Sequence, residues 1–217
     1  MKKYLLMMMA AVAMMTFVAC GDDDDEIVVT TDSNILSLIP NKYLAEIKKH
    51  MTINEGENPP NVEGVYLIAP AVLHYDSYHA EGVDSFSNSY IEFYNQDMTN
   101  RTLRTREQGG NDAQGTGSYI CGEGNDFTVF LNNTGKNGVA TFKTAVIISG
   151  TMTSKGIKNL QYGFLMLEKN NDVNDEVMDP GRYRIIKDKD GLSEYTNWPS
   201  TRAYVSDFEP SFIKMVP

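Results

Sequence analysis

Two cysteines and three histidines set the limits of nucleophilic and metal chemistry in this 217-residue chain. Cys121, in Ile120-Cys121-Gly122-Glu123, matches no nucleophile signature. A reactive thiolate needs a base or positive charge beside it, and nothing in the sequence places His50, His74 or His79 there. A buried thiol at a strand end is the expectation. His74 and His79 bracket Tyr75-Asp76-Ser77-Tyr78, so two imidazoles and Asp76 supply metal-ligand types. At that spacing the imidazoles fall on opposite faces of a regular strand, so exposed loop residues are expected instead of a metal site.

Asp172, Asn174, Asp175, Glu176 and Asp179 gather the oxygen ligands that calcium takes, but the central Gly and terminal Glu of an EF-hand loop are missing. Asp188 and Asp190 read as hairpin-turn residues. The glycines at 109, 110, 115, 117, 122 and 124 lie in no strand-to-helix junction of the kind that aims amide N–H groups at phosphate. Loops and hairpin turns explain them. No cofactor is implied. Tyr195, Trp198 and Tyr204 cluster among Thr196, Asn197, Ser200, Thr201 and Arg202. Aromatics beside hydrogen-bonding side chains are suited to stacking on sugar rings or holding a small amphipathic ligand. The competing expectation is that Trp198 plugs the core.

The residue with the clearest chemistry is Cys20. Lys2 and Lys3 precede sixteen uncharged residues, Tyr4 to Ala19, rich in Leu, Met, Ala and Val. That is the layout of a secretory signal. The run is shorter than the ~20 apolar residues a membrane span needs, and it ends in Gly21 and Asp22 to Asp25. Phe17-Val18-Ala19-Cys20 resembles a lipobox, with Phe17 standing where that motif usually has Leu. The acidic run after the cysteine resembles the surface-export signal of Bacteroidetes-type surface lipoproteins. The resemblance implies cleavage before Cys20, three acyl chains on it, and attachment to the outer membrane, facing outward. One chain holds only marginally at ~0.8 kcal/mol per buried methylene; three make attachment effectively permanent. The aspartates then form a hydrated tether.

Residues 1–19 are thus expected to be signal, 20–32 a lipidated acidic tether and 33–217 one domain. Loss of Lys2 and Lys3 leaves 17 basic against 29 acidic residues, a net charge of about −12. Nucleic acid is excluded as a partner on that balance, because phosphate binding needs a basic surface. With Cys20 acylated, Cys121 stands alone and no internal disulfide can form, so the core must hold the fold unaided.

The chemistry-bearing residues need elements to position them. Pro40 suits a first helical position, and Tyr43, Leu44, Ile47 and Met51 share one helical face. Lys48, Lys49 and His50 follow at the C-terminal end, and Asn34 to Ile39 suggests a short turn before it. Beyond Pro60 the pattern is strands punctuated by Gly, Asn and Asp. They are expected at 65–75 (broken near Pro70), 89–95, 102–106, 118–121, 127–131, 139–152, 157–168, 182–187 and 211–216. This predicts an all-β domain: an antiparallel meander of about eight strands closed as a barrel, with a β-sandwich as the alternative. Ala145 to Ile148 and Phe164 to Leu167 are apolar on both faces, so the helix is expected to cover their outside. A helix on such a meander resembles lipocalin-like (calycin-like) barrels. The passage from Pro40 through Asn58-Pro59-Pro60 to Gly64-Val65-Tyr66 also resembles the entry to such domains in other surface lipoproteins.

The expected role is a non-enzymatic binding module for a small hydrophobic molecule, glycan or peptide, joined to the membrane by its lipid. A structural or assembly subunit of a cell-envelope complex is the alternative. An enzyme ranks third: glycoside hydrolysis needs only two carboxylates a few ångströms apart, but no pair can be selected from the sequence.

Overall fold

Alternation of apolar and polar residues with period two, interrupted by Gly-Asn and Asp-Gly turns, makes strand the only extended secondary structure described after the first fifty residues. The computed structural model describes residues 30, 32–78, 85–107 and 114–199, with backbone alone at 114–116. The signal, Cys20, the aspartate run, His79, Gly109, Gly110, Tyr204 and the strand expected at 211–216 lie outside the described residues.

Two helices come first, α1 (Ser33–Leu38) and α2 (Asn41–Lys48). The Asp32 side chain caps α1 by accepting from the Asn34 amide at 2.9 Å. Pro40 caps α2 from just outside, one residue before the position expected for it. Eleven strands follow: β1 (Glu57–Asn58), β2 (Gly64–Ile68), β3 (Ala71–Asp76), β4 (Ser89–Asp97), β5 (Thr102–Glu107), β6 (Gln114–Glu123), β7 (Asp126–Asn137), β8 (Ala140–Thr153), β9 (Gly156–Asn170), β10 (Tyr183–Asp188) and β11 (Leu192–Thr196).

They form one sheet in the order β1-β6-β7-β8-β9-β11-β2-β4-β5, antiparallel except for the short β1–β6 pair. On its edge away from β8, β9 serves two partners: Gly156–Lys158 pairs with β11, and Gln161–Leu165 pairs with β10. β10 pairs in turn with β3, and β11 with β2. The chain therefore bends twice at one corner, at the Ala69-Pro70 cis peptide and at the Lys189–Gly191 turn. Asp188 joins the bends. Its carboxylate accepts from the Ala69 amide and the Ser193 hydroxyl, each at 3.0 Å, while the Lys189 amide donates to the Pro70 carbonyl at 3.0 Å. Burial and the adjacent Asp190 push the Asp188 carboxyl up to about pH 6.

The fold is all-β, and the ladder is open: among the described residues no strand pairing joins β5 to β6. The two edges nevertheless meet. The Ile120 amide donates to the Arg101 carbonyl at 2.9 Å. The Ser118 hydroxyl donates to the Leu103 carbonyl at 2.6 Å and accepts from the Leu103 amide at 3.0 Å. One side chain stands in for a pair of ladder bonds.

The sheet has a hydrophobic cluster on each face. Tyr66, Ile91, Phe93, Phe127, Val129, Val146, Ile148, Tyr162 and Phe164 belong to the inner one. The outer one lies beneath the helices, where Ile35, Leu38, Leu44, Ile47 and Met51 meet Tyr119, Phe130, Ala145, Ile147, Leu165 and Ile185. This explains the doubly apolar runs of β8 and β9. Each fully buried side chain of this size contributes about 1.5–3 kcal/mol. Gly163 permits the close approach of the segment after α2, since a Cβ there would stand 2.9 Å from the Met51 sulfur. Arg184 and Asp76, both buried, pair at 3.0 Å on the inner side, where Arg184 alternates with the outward Ile185.

Candidate functional site

Several residues with chemical potential are committed to structural contacts. Cys121 is buried, and its sulfur lies 3.1 Å from the Asn54 carbonyl and 3.7 Å from that of Thr128. Burial first, then the nearby Asp32 and Glu55, push its thiol up to about 12, so it stays protonated at neutral pH. Asp76 is held by Arg184 at 3.0 Å and by the Tyr78 amide at 2.8 Å. Among the described residues no three His, Cys, Asp or Glu side chains converge as a metal site. Gly115, Gly117 and Gly122 lie in β6, and Gly124 lies in the turn to β7.

The acidic cluster after β9 does surround a cation, and that cation is the protein's own. The Lys169 ammonium sits 3.1 Å from Asp172, 2.7 Å from Asp175 and 2.9 Å from Asp179, and donates to the Val177 carbonyl at 3.0 Å. Partial burial opposes the charge, but hydrogen bonds to the three carboxylates outweigh it and hold the lysine pKa above its usual value. The oxygen-rich loop that suggests calcium in the sequence is filled by an ammonium.

The aromatic residues separate. Tyr195 pairs across the ladder with buried Tyr66, their ring centroids 4.8 Å apart, and lies over Gly64, where a Cβ would come within 2.8 Å of its ring. It therefore stands on the inner-facing side, at an exposed margin. Trp198 goes the other way. The Arg106 guanidinium lies 4.0 Å from the Trp198 ring centroid, and Arg106 faces outward on β5, opposite in parity to buried Leu103. An odd spacing of three along extended chain puts two side chains on opposite faces, which is why proximity in sequence does not become one cluster.

Trp198 instead joins a surface that spans three strands. On β4, Ser89, Ile91 and Phe93 are buried, while Tyr90, Glu92 and Tyr94 face outward and are half-buried. Register sets Glu92 opposite Arg106 and Tyr94 opposite Arg104, with Val65 and Leu67 of β2 opposite Glu92 and Tyr90. Arg106 also forms an ion pair with Glu92. None of the outer cluster under the helices comes from β2, β4, β5 or β11, so among the described residues no helix covers this wall. The alternation of Tyr90, Glu92 and Tyr94 was legible in the sequence. Their union with Arg104, Arg106 and Trp198 was not, because it depends on register.

A second polar feature lies inside. The carboxyl of half-buried Glu107 accepts from the Tyr162 hydroxyl at 2.9 and 3.1 Å to its two oxygens. Burial pushes its pKa up to about 7, against the opposing pull of that hydrogen bond. Three concave regions are lined by described residues: one across the ends of β7–β9, one beyond α2 and one beside Cys121. None of the three includes Tyr195 or Trp198.

Comparison with protein-family models, with curated proteins and with solved structures finds no match for this chain.

Proposed function

We propose that this chain is a surface-exposed outer-membrane lipoprotein, anchored through Cys20, whose domain is a non-enzymatic binding module for glycans. The observation that carries the ligand class is the outward face of β2, β4 and β5, which no described helix covers. There two tyrosines, two arginines and a glutamate share one face with Trp198 stacked over Arg106. Sugar rings present flat C–H faces to aromatic side chains and hydroxyls to guanidinium and carboxylate groups, and such a wall offers both. The interior is furnished for stability, with apolar side chains and the Arg184–Asp76 pair. The export signal, Cys20 and Asp22 to Asp25 support the anchor and its outward orientation.

For the fold, the proposal is a lipocalin-like barrel. Setting aside the two-residue β1 and taking β2 with β3, and β10 with β11, as single bent strands gives eight strands in meander order, and the β5–β6 contacts are its seam. The test of function is a glycan array probed with the mature chain carrying Cys20→Ala. Retention of oligosaccharides by the native chain, reduced at least tenfold by Arg106→Ala, supports the reading; no retention of any glycan overturns it.

A second reading, an assembly subunit, draws on β5, whose edge away from β4, beyond its contacts with β6 at Arg101 and Leu103, has no ladder partner among the described residues. Cross-linking in intact envelopes that recovers only the monomer would count against it.

A further inference from the structure

Beyond the outer wall, we propose that the cavity at the C-terminal end of α2 is a binding site for a phosphate group, carried either by a small soluble molecule or by a lipid headgroup. The cavity, of about 530 Å³, is lined by Lys48, Lys49, His50, Thr52, His74 and Gln161 among others, with no carboxylate in its lining. That is unexpected in a chain whose net charge is −10.

Each wall contributes a donor. The ring of His50 is fixed by stacking on Tyr75, centroids 3.6 Å apart and planes 14° from parallel, and Tyr75 stacks in turn on Tyr183. Gln161 spends its carbonyl oxygen on the Thr52 amide at 2.8 Å, so its amide nitrogen is the end it can offer. The carboxylates nearest the cavity sit behind its lysines: Glu55 pairs with Lys48 at 2.8 Å and Glu46 with Lys49 at 2.6 Å. All four side chains are well exposed, so these pairs are weak and either ammonium can turn to a ligand at little cost. From β10, Lys187 adds a further positive charge that acts on His74.

The groups that face His74 also give the site a pH dependence. Burial first, then Lys187 and His50, hold the His74 pKa below its usual value, so the empty site keeps this imidazole neutral at pH 7. A phosphate dianion between these groups reverses the balance, and binding takes up a proton. A tetrahedral phosphate, with three terminal oxygens, uses two ammonium groups and two imidazoles more fully than a planar carboxylate can. Position allows either source. Asn41, at the start of α2, bonds to Thr30, so the cavity lies one eight-residue helix, about 12 Å, from the first described residue.

The test uses the mature chain carrying Cys20→Ala. Isothermal titration with glycerol 3-phosphate, against glycerol, covers the soluble source; flotation with phosphatidic acid vesicles, against phosphatidylcholine vesicles, covers the headgroup. The expected result is binding in at least one arm, tighter at pH 6 than at pH 8, and weakened at least tenfold by Lys48→Gln/Lys49→Gln and by His74→Gln. The lysine variants change exposed residues, so the fold persists, which a circular dichroism spectrum verifies. Glycan binding at the outer wall stays unchanged in them, which separates the two sites. No phosphate-dependent signal in either arm, or a signal indifferent to these variants, overturns the proposal.

Discussion

Replacing Glu107 by Gln should make the protein more stable at pH 8 than the native chain, an unusual outcome for removing a charged residue. The carboxyl's pKa stands at about 7 in the folded state against 4.5 when free. A folded-state pKa raised in this way means that folding favours the protonated form. The stability contributed by the neutral acid is complete below about pH 4.5 and is lost as pH rises through 7. The difference between about 7 and 4.5, at about 1.4 kcal/mol per pH unit, corresponds to a loss of about 3 kcal/mol by pH 8. Gln cannot ionise, yet its carboxamide oxygen still accepts from the Tyr162 hydroxyl. Urea denaturation of both proteins at pH 4.5, 6 and 8 should therefore give curves close together at pH 4.5 and separated by up to about 3 kcal/mol at pH 8, the variant being more stable. Asp188, raised to about 6, adds a slope of the same sign to both proteins and cancels in the comparison. Parallel stability profiles from pH 4.5 to 8 would refute the reasoning, because they would mean that the carboxyl is solvated in the folded protein.

Two other substitutions probe the packing. Lys169→Met strips the cation from Asp172, Asp175 and Asp179 and should cost about 1–2 kcal/mol, the middle of the range for charge-assisted contacts that are partly exposed. In that variant, millimolar calcium should raise the melting temperature, while the native chain shows no response in the same scan. Gly163→Val puts a branched side chain where even a Cβ comes within 2.9 Å of the Met51 sulfur, and should cost about 1–3 kcal/mol by urea denaturation as the segment after α2 is displaced.

Much of the architecture was legible because it rests on periodicity. The alternation in β4, the doubly apolar runs in β8 and β9, and the stripe of Leu44, Ile47 and Met51 each specify which face is buried, and the helices lie over the strands that need a second cover. What periodicity could not reveal was pairing between distant segments. β11 carries little apolar signal, since Leu192-Ser193-Glu194-Tyr195-Thr196 owes its place to β9 and β2 on either side. The simple meander likewise gives way at Pro70 and Asp188, where two strands bend together around one carboxylate. The candidate site follows the same logic. Trp198 was legible as an unusual aromatic among polar residues, but its partner proved to be Arg106 in place of Tyr195. The cation inside the acidic loop was also present in the sequence, three residues before Asp172, and only the turn of the chain shows that Lys169 points back into it.

Trp198 is the chain's sole tryptophan, so the proposed glycan wall carries its own reporter. Titration of the mature chain with the best-retained oligosaccharide, followed by tryptophan fluorescence, tests the central claim directly. The account predicts a saturable change in emission that survives Tyr195→Phe and is lost with Arg106→Ala. Saturable glycan binding that leaves Trp198 emission untouched, or that depends on Tyr195 instead of Arg106, would contradict it.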